Sequence, residues 1–227
     1  MGSEKTVKDS GGEVIDGDFY QGGCGPGFMS TETGEVIIFP IGDFTNLKEG
    51  TVELCVTLKQ KLVDKYNYFL FMVDDGEDLV LLQIDWNKNK EGLYDKKGFH
   101  NVRLRIKPGP GGRGGARVLS PKINWQPGEH HHIAATWGET GMNLYIDAEN
   151  KGIPNDNNVE NVAWGRENFV DKLFIVINNN DHDPEQAIAP THCIVRNLRI
   201  HNYQKSHADV KESYAKLPLH PKQDEHE

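Results

Sequence analysis

Short runs of β-branched and aromatic residues, each closed by Gly, Pro, Asn or Asp, constrain the fold of this sequence more than any other feature. Thr51–Leu58 shows the pattern most clearly, because every second residue from Val52 onward is Val or Leu. Tyr68–Val73 and Leu79–Ile84 flank an acidic turn and predict a hairpin. Runs of this kind predict about ten to thirteen strands along the chain.

This succession of strands predicts an all-β fold, a two-sheet antiparallel jelly-roll sandwich. One short C-terminal helix is expected, with Ser206 as its N-cap and Pro218 ending it. We expect a flexible N-terminal segment over residues 1–12, a single domain over 13–217 and a flexible tail over 218–227. A chain of 227 residues is long enough to bury a core in one such domain.

The composition excludes several functional classes. The formal net charge of −9 argues against nucleic-acid binding, which normally uses a basic face. The one Arg-rich patch, Gly112–Arg117, has two arginines and no aromatic residue, so we interpret it as a flexible loop. No apolar run is long enough for a membrane span, and no signal peptide is visible at the N-terminus.

The segment Trp125–Gly152 resembles the signature of laminin-G-like domains in the concanavalin A-like lectin/glucanase superfamily. It contains a Pro-Gly turn, the strand His-His-Ile-Ala, a Thr-Trp pair, a Gly-containing turn and then Leu-Tyr-Ile-Asp. Two residues depart from the family pattern: His130 stands where the family usually has Trp, and Ala148 stands where it usually has Gly.

The flanking segments also resemble this family. Glu49–Val56 is similar to its early Gly-Thr-Ile-Glu strand, and Val195–Asn202 is similar to its closing strand. The resemblance spans roughly residues 34–217, most of the chain. It implies a curved jelly roll that is most often a non-catalytic recognition module and frequently holds a calcium ion.

Catalytic motifs are not evident. Glucanases of related fold place an acid and a nucleophile on one strand face in a Glu-x-Asp-x-x-Glu pattern. That spacing is absent from this sequence, so we expect no catalytic residues and no enzyme. The triple histidine at His130–His132 lies in a predicted strand, where successive side chains point to opposite faces and do not converge on one metal ion.

Oxygen-rich loops are the candidates for calcium, which prefers six to eight oxygen ligands. Asn180, Asp181 and Asp183 form the first candidate, and a solvated turn is the alternative. The second candidate comprises Asp74, Asp75 and Asp78 at the predicted hairpin tip.

Sugar binding generally uses exposed aromatic rings beside polar groups. Trp86, Tyr94 and Trp164 lie in polar, loop-like surroundings and are the candidate ligand-binding residues. The alternative is that each ring anchors its own loop on the core. Trp125 and Trp137 lie within the hairpin signature and are expected in the core.

Three cysteines are too few for a disulfide scaffold. In the fold that the resemblance implies, the first and last strands commonly pair antiparallel, which would bring Cys24 near Cys193. A Cys24–Cys193 disulfide would then point to an oxidising compartment, and three free thiols are the alternative. Cys55 lies in an apolar strand and is expected to be a small core residue.

Three functional hypotheses remain open. The first is a recognition module without catalysis that binds carbohydrate, extracellular or exposed at a cell surface. The second is a structural or adhesion component that binds protein partners in a larger surface or virion assembly. The third is a polysaccharide-cleaving enzyme. The sequence identifies neither the ligand nor the oligomeric state.

Overall fold

The computed structural model describes residues 28–29, 37–40, 49–58, 61–62, 68–74, 79–87, 98–107, 115–154, 174–177, 193–201 and 203–217. These residues form thirteen strands and one helix. The elements are β1 Phe28–Met29, β2 Ile37–Pro40, β3 Gly50–Leu58, β4 Tyr68–Asp74, β5 Leu79–Asn87, β6 Phe99–Lys107, β7 Ala116–Leu119, β8 His130–Trp137, β9 Asn143–Ile146, β10 Glu149–Asn150, β11 Ile153–Pro154, β12 Phe174–Ile177, β13 Cys193–His201 and α1 His207–Ala215.

The strands form two antiparallel sheets, which confirms the predicted jelly-roll sandwich. The six-stranded sheet has the order β1-β13-β3-β8-β9-β10, and the seven-stranded sheet has the order β11-β7-β6-β5-β4-β12-β2. The predicted hairpin around the acidic turn is confirmed, because β4 pairs with β5 from Asp74 opposite Leu79 onward. The short strands β1, β10 and β11 have no counterpart in the sequence prediction.

The core lies between the two sheets and contains the alternating apolar residues of both. On β3 the core residues are Val52, Leu54, Val56 and Leu58, and on β6 they are Val102, Leu104 and Ile106. Trp137 is fully buried and Trp125 is 9% exposed in the same cluster, so both core predictions are confirmed. Cys55 was expected in the core, but it is half-buried on the opposite face of β3, because strand residues alternate between faces.

Helix α1 covers part of the outer face of the six-stranded sheet, where Val210 packs against Ala134 and Tyr145. Its N-terminus has the capping box that Ser206 predicted: the Asp209 amide donates to Ser206 Oγ, and the Ser206 amide donates to Asp209 Oδ2. The capped first turn fixes where the helix begins, and its buried face then docks on the sheet.

The β9–β10 hairpin is closed by Asp147 and Ala148, both with positive φ, of 51° and 62°. A two-residue turn of this kind suits the right-handed twist of the strands and usually contains glycine. Ala148 therefore adopts a backbone conformation that generally favours glycine.

Candidate functional site

A cluster of polar side chains lies on the outer face of the seven-stranded sheet. Because Val102, Leu104 and Ile106 of β6 face the core, the residues between them project outward. The ladder pairs Gln83 with Arg103 across β5–β6, and Arg105 with Arg117 across β6–β7. We call this cluster the arginine face; its members are Gln83, Asp85, Asn101, Arg103, Arg105 and Arg117.

Asp85 and Arg103 form a largely buried ion pair within the arginine face. Arg103 Nη1 lies 3.0 Å from Asp85 Oδ2, and the two side chains are 19% and 9% exposed. Gln83 Nε2 donates to Asp85 Oδ1 at 2.8 Å. Burial raises the pKa of Asp85, although the charges of Arg103, Arg105 and Arg117 oppose this rise. Burial likewise lowers the pKa of Arg103, against the attraction of Asp85. The pair is therefore held in poorly solvated surroundings.

Arg105 and Arg117 lie directly opposite each other on neighbouring strands. Like charges at directly opposed positions of a sheet destabilise it. Arg105 is half-buried, and Arg117 is exposed. With three guanidinium groups and one carboxylate, the arginine face has a formal charge of +2, whereas the whole chain has −9.

Three polar atoms of the arginine face are buried without a hydrogen-bond partner in the part of the chain that the structure describes. They are Gln83 Oε1, Asn101 Oδ1 and Arg103 Nε. Gln83 and Asn101 are each 1% exposed. Because native proteins leave few buried polar atoms unpaired, each such atom calls for an explanation. All three atoms are shut off from solvent, and three atoms of another cluster in the described chain, Glu53 Oε1, His132 Nδ1 and His201 Nε2, are buried without a partner in the same way.

A second polar cluster lies under helix α1, on the outer face of the six-stranded sheet. Lys205 Nζ donates to Glu53 Oε2 at 2.5 Å and to Ser213 Oγ at 2.8 Å. His201 Nε2 lies 3.3 Å from Glu53 Oε2, and His132 Nε2 lies 3.8 Å from Glu53 Oε1. Glu53 and Lys205 are 1% and 8% exposed. Ser213 and Tyr214 of α1 contact Lys205 and His132, so this cluster joins α1 to the sheet.

The pKa values in this second cluster depart strongly from their ordinary values. Burial raises the pKa of Glu53, but hydrogen bonds from His201 and Lys205 and the charge of Lys205 lower it to about 2. Burial lowers the pKa of His132 to about 4, although Glu53 and Asp147 oppose this. At neutral pH the structure therefore holds an ionised Glu53 and a neutral His132.

The three consecutive histidines lie in β8, as predicted, and make different contacts. His130 Nδ1 lies 2.5 Å from Thr57 Oγ1. The His131 ring stacks on Trp125, with centroids 4.2 Å apart, and its Nδ1 lies 2.8 Å from Asp147 Oδ2. The third ring, His132, is buried beside Tyr214 of α1.

Trp86 was predicted in loop-like surroundings, and that placement is wrong. It lies in β5 on the core-facing side, because alternation along the strand puts it on the same face as the buried residues Val80, Leu82 and Ile84. The ring is half-buried, with its centroid 4.8 Å from that of His100. Gly98 abuts it with φ of +77°, where a Cβ would overlap the indole. Its binding role stays a prediction, and the other two ligand-binding candidates, Tyr94 and Trp164, lie outside the described residues.

The calcium candidates also lie largely outside the described residues. These are Asn180, Asp181, Asp183, Asp75 and Asp78. Asp74 ends β4, where it pairs with Leu79. Within the described ranges, no group of three or more His, Cys, Asp or Glu side chains is placed to hold a metal ion. Calcium binding at Asn180–Asp183 stays a prediction.

The predicted disulfide is not tested, because Cys24 lies outside the described residues. Among the described residues, β1 pairs antiparallel with β13, with Phe28 opposite Val195 and Met29 opposite Ile194. Cys193 begins β13. No helix in the described ranges is both long and apolar enough to cross a bilayer.

The sequence interpretation did not single out the arginine face. The interpretation of Gly112–Arg117 as a flexible loop is wrong for Ala116 and Arg117, which belong to β7, whereas the strand that the sequence predicts over residues 117–119 is confirmed. The usable signal was the alternation Val-Arg-Leu-Arg-Ile over residues 102–106, which puts two arginines on one strand face. Pairing that strand with Arg117 requires the register of the sheet.

Comparison with known proteins supports the fold. No family profile and no curated protein sequence matches the chain. A solved structure of an HCR/D mutant superposes with a TM-score of 0.61 at 15% identity, covering 93% of this chain and 46% of that one. The receptor binding domain of botulinum neurotoxin C/D mosaic serotype gives 0.55 at 16% identity, covering 84% and 42%. Trypanosoma rangeli sialidase in complex with sialic acid gives 0.56 at 14% identity, covering 92% and 29%.

These likenesses show a shared jelly-roll sandwich fold. The chain spans less than half the length of each of the three structures. The resemblance to laminin-G-like domains in particular stays a prediction.

Proposed function

We propose that this chain is a non-catalytic recognition domain that binds carbohydrate through the arginine face. The single observation that carries the proposal is the arrangement of amide, carboxylate and guanidinium groups on β5, β6 and β7. Among them, Arg105 is half-buried and Arg117 is exposed, so their guanidinium groups are accessible to a ligand. Sugar hydroxyl groups both donate and accept hydrogen bonds, so they complement such a set.

One further observation supports binding without catalysis. The arginine face contains one carboxylate, Asp85, and that carboxylate is engaged by Arg103 and Gln83. Glycoside hydrolysis generally uses two carboxyl groups flanking the scissile bond. The structures of similar fold include a neurotoxin receptor binding domain, which is a recognition domain, and a sialidase in complex with sialic acid, which is an enzyme.

The alternative of a protein-binding assembly component has less support. In the described part of the chain, the exposed large apolar side chains are Ile153 and Tyr203, at 44% and 48%. Ile153 belongs to the seven-stranded sheet, and Tyr203 follows the last strand of the six-stranded sheet. These two residues do not make the contiguous apolar patch that marks many protein interfaces. An extracellular or surface-exposed location fits the proposed function.

A glycan array tests the proposal. The folded chain is screened once with calcium and once with EGTA, and selective binding to a set of related glycans is expected. Loss of that binding in EGTA would add calcium to the site and direct mutagenesis to Asp181 and Asp183. A folded chain that binds no glycan contradicts the proposal and favours the protein-binding alternative.

A further inference from the structure

The pairing of Arg105 with Arg117 is unfavourable for the sheet alone. Directly opposed residues of antiparallel strands have Cβ atoms about 4.5–5.5 Å apart, so two cations at these positions repel each other. Asp85, the carboxylate of the arginine face, is already engaged by Arg103 at 3.0 Å. Among the described residues, no ion pair neutralises Arg105 or Arg117. Local conflicts of this kind are expected at functional sites, where a ligand relieves them.

We infer that the arginine face binds the anionic group of an acidic glycan, a carboxylate or a sulfate, between Arg105 and Arg117. This inference rests on the proposed function, because it names the ligand class of the same site. One anion between two opposed guanidinium groups would replace their repulsion by two charge-assisted contacts.

The type of cation supports this ligand class. The chain has 25 basic residues, of which only seven are arginines, and three of those seven lie on the arginine face. Arginine presents a planar fork of donors that matches a carboxylate or sulfate in a bidentate manner, whereas lysine is a point charge. If these three residues served only solubility, lysine would serve equally well at each position.

The net negative charge of the chain restricts where an acidic glycan can bind. With a net charge of −9, the chain as a whole repels polyanions. Binding of an acidic glycan therefore requires a local positive site, and the arginine face, at +2, is such a site. Because the attraction is electrostatic, the affinity should fall as the salt concentration rises.

The experiment uses an array of matched glycan pairs. Each carboxylated glycan is printed beside its carboxyl-reduced form, and each sulfated glycan is printed beside its desulfated form. The wild type is compared with Arg105→Gln and Arg117→Gln, and Lys211→Gln on the exposed side of α1 is the control with the same charge change. The thermal unfolding midpoint of every variant is measured in parallel.

We expect the wild type to bind acidic members of the pairs and not their neutral counterparts. Each arginine variant should lose about tenfold or more in affinity, as expected for removal of a charged hydrogen bond. Lys211→Gln should keep the wild-type affinity. Because Arg105→Gln and Arg117→Gln each remove one of two repelling charges, their unfolding midpoints should equal or exceed that of the wild type.

The outcomes separate this inference from the proposed function. Equal binding to acidic and neutral members overturns the inference and leaves carbohydrate binding standing. Acidic binding that both arginine variants retain overturns the assignment to the arginine face. Binding to no member of any pair by the folded chain overturns both. If only the carboxylated pairs show a difference in binding between their acidic and neutral members, the anion is a carboxylate. If only the sulfated pairs show it, the anion is a sulfate.

Discussion

Replacing Glu53 by Gln tests the buried cluster that joins α1 to the six-stranded sheet. The pKa of Glu53 falls from 4.5 to about 2 on folding. At about 1.4 kcal/mol per pKa unit, the folded state favours the ionised carboxylate by about 3 kcal/mol. Glu53→Gln removes this charge and leaves the Lys205 ammonium, 8% exposed, without its carboxylate. Breaking a buried ion pair in this way costs about 3–5 kcal/mol, so we expect a loss of that size in the free energy of unfolding at pH 7.

The assay is urea unfolding followed by far-ultraviolet circular dichroism, repeated between neutral and acid pH. Because folding depresses the pKa of Glu53, its stabilisation is present above pH 4.5 and is lost as the pH falls toward 2. The difference between the wild type and Glu53→Gln should therefore shrink over that range. The wild type should begin to lose stability earlier, below pH 6.5, because His132 is held neutral down to a pKa of about 4.

Two controls isolate the effect of burial. Glu212→Gln makes the same change in the ion pair with Lys216, which has the same 2.5 Å separation but side chains that are 65% and 67% exposed. An exposed pair of this kind contributes at most about 0.5 kcal/mol. In the Lys205→Met background, Glu53→Gln should cost far less, because no charge is left buried. A loss below about 1 kcal/mol for Glu53→Gln, or equal losses in both backgrounds, would refute the reasoning.

Three further predictions concern stability and covalent structure. Gly50→Ala should destabilise the fold by about 1–3 kcal/mol in urea unfolding, because the added methyl group overlaps the buried ring of Trp137; an unchanged midpoint would contradict this packing. Ser206→Ala should cost about 1 kcal/mol by removing the N-cap of α1, and Ser206→Asp should restore it. If Cys24 and Cys193 form a disulfide, the denatured, unreduced chain should show one titratable thiol, and three thiols would exclude the bridge.

The strands were predictable where one face is apolar. In β3, β6 and β8 the alternation of side chains gives both the element and its core-facing residues, and the Ser206 cap gives the start of α1. Trp86 was misplaced because Asn and Lys follow it in the sequence, yet β5 continues to Asn87 by pairing with β6. Pairing with β6 therefore extends β5 beyond Ile84, where the alternation of apolar residues in the sequence ends.

The arginine face depends on register, which the sequence does not specify. Asp85 and Arg103 are separated by eighteen positions, and the β5–β6 ladder brings them together. Arg117 follows a Gly-rich segment and begins the strand predicted over residues 117–119, but the sequence does not show which strand it pairs with. A shift of one residue in either pairing would put these side chains on the opposite face, so only the sheet reveals the cluster.

The most direct test of the account is amide hydrogen exchange on the folded chain with and without the acidic glycan that binds best on the array. Binding at the arginine face predicts that the glycan slows exchange in peptides from β5, β6 and β7. Exchange in α1 and the six-stranded sheet should remain unchanged. Slowed exchange confined to α1 or the six-stranded sheet, with β5–β7 unaffected, would contradict the proposed location of the site.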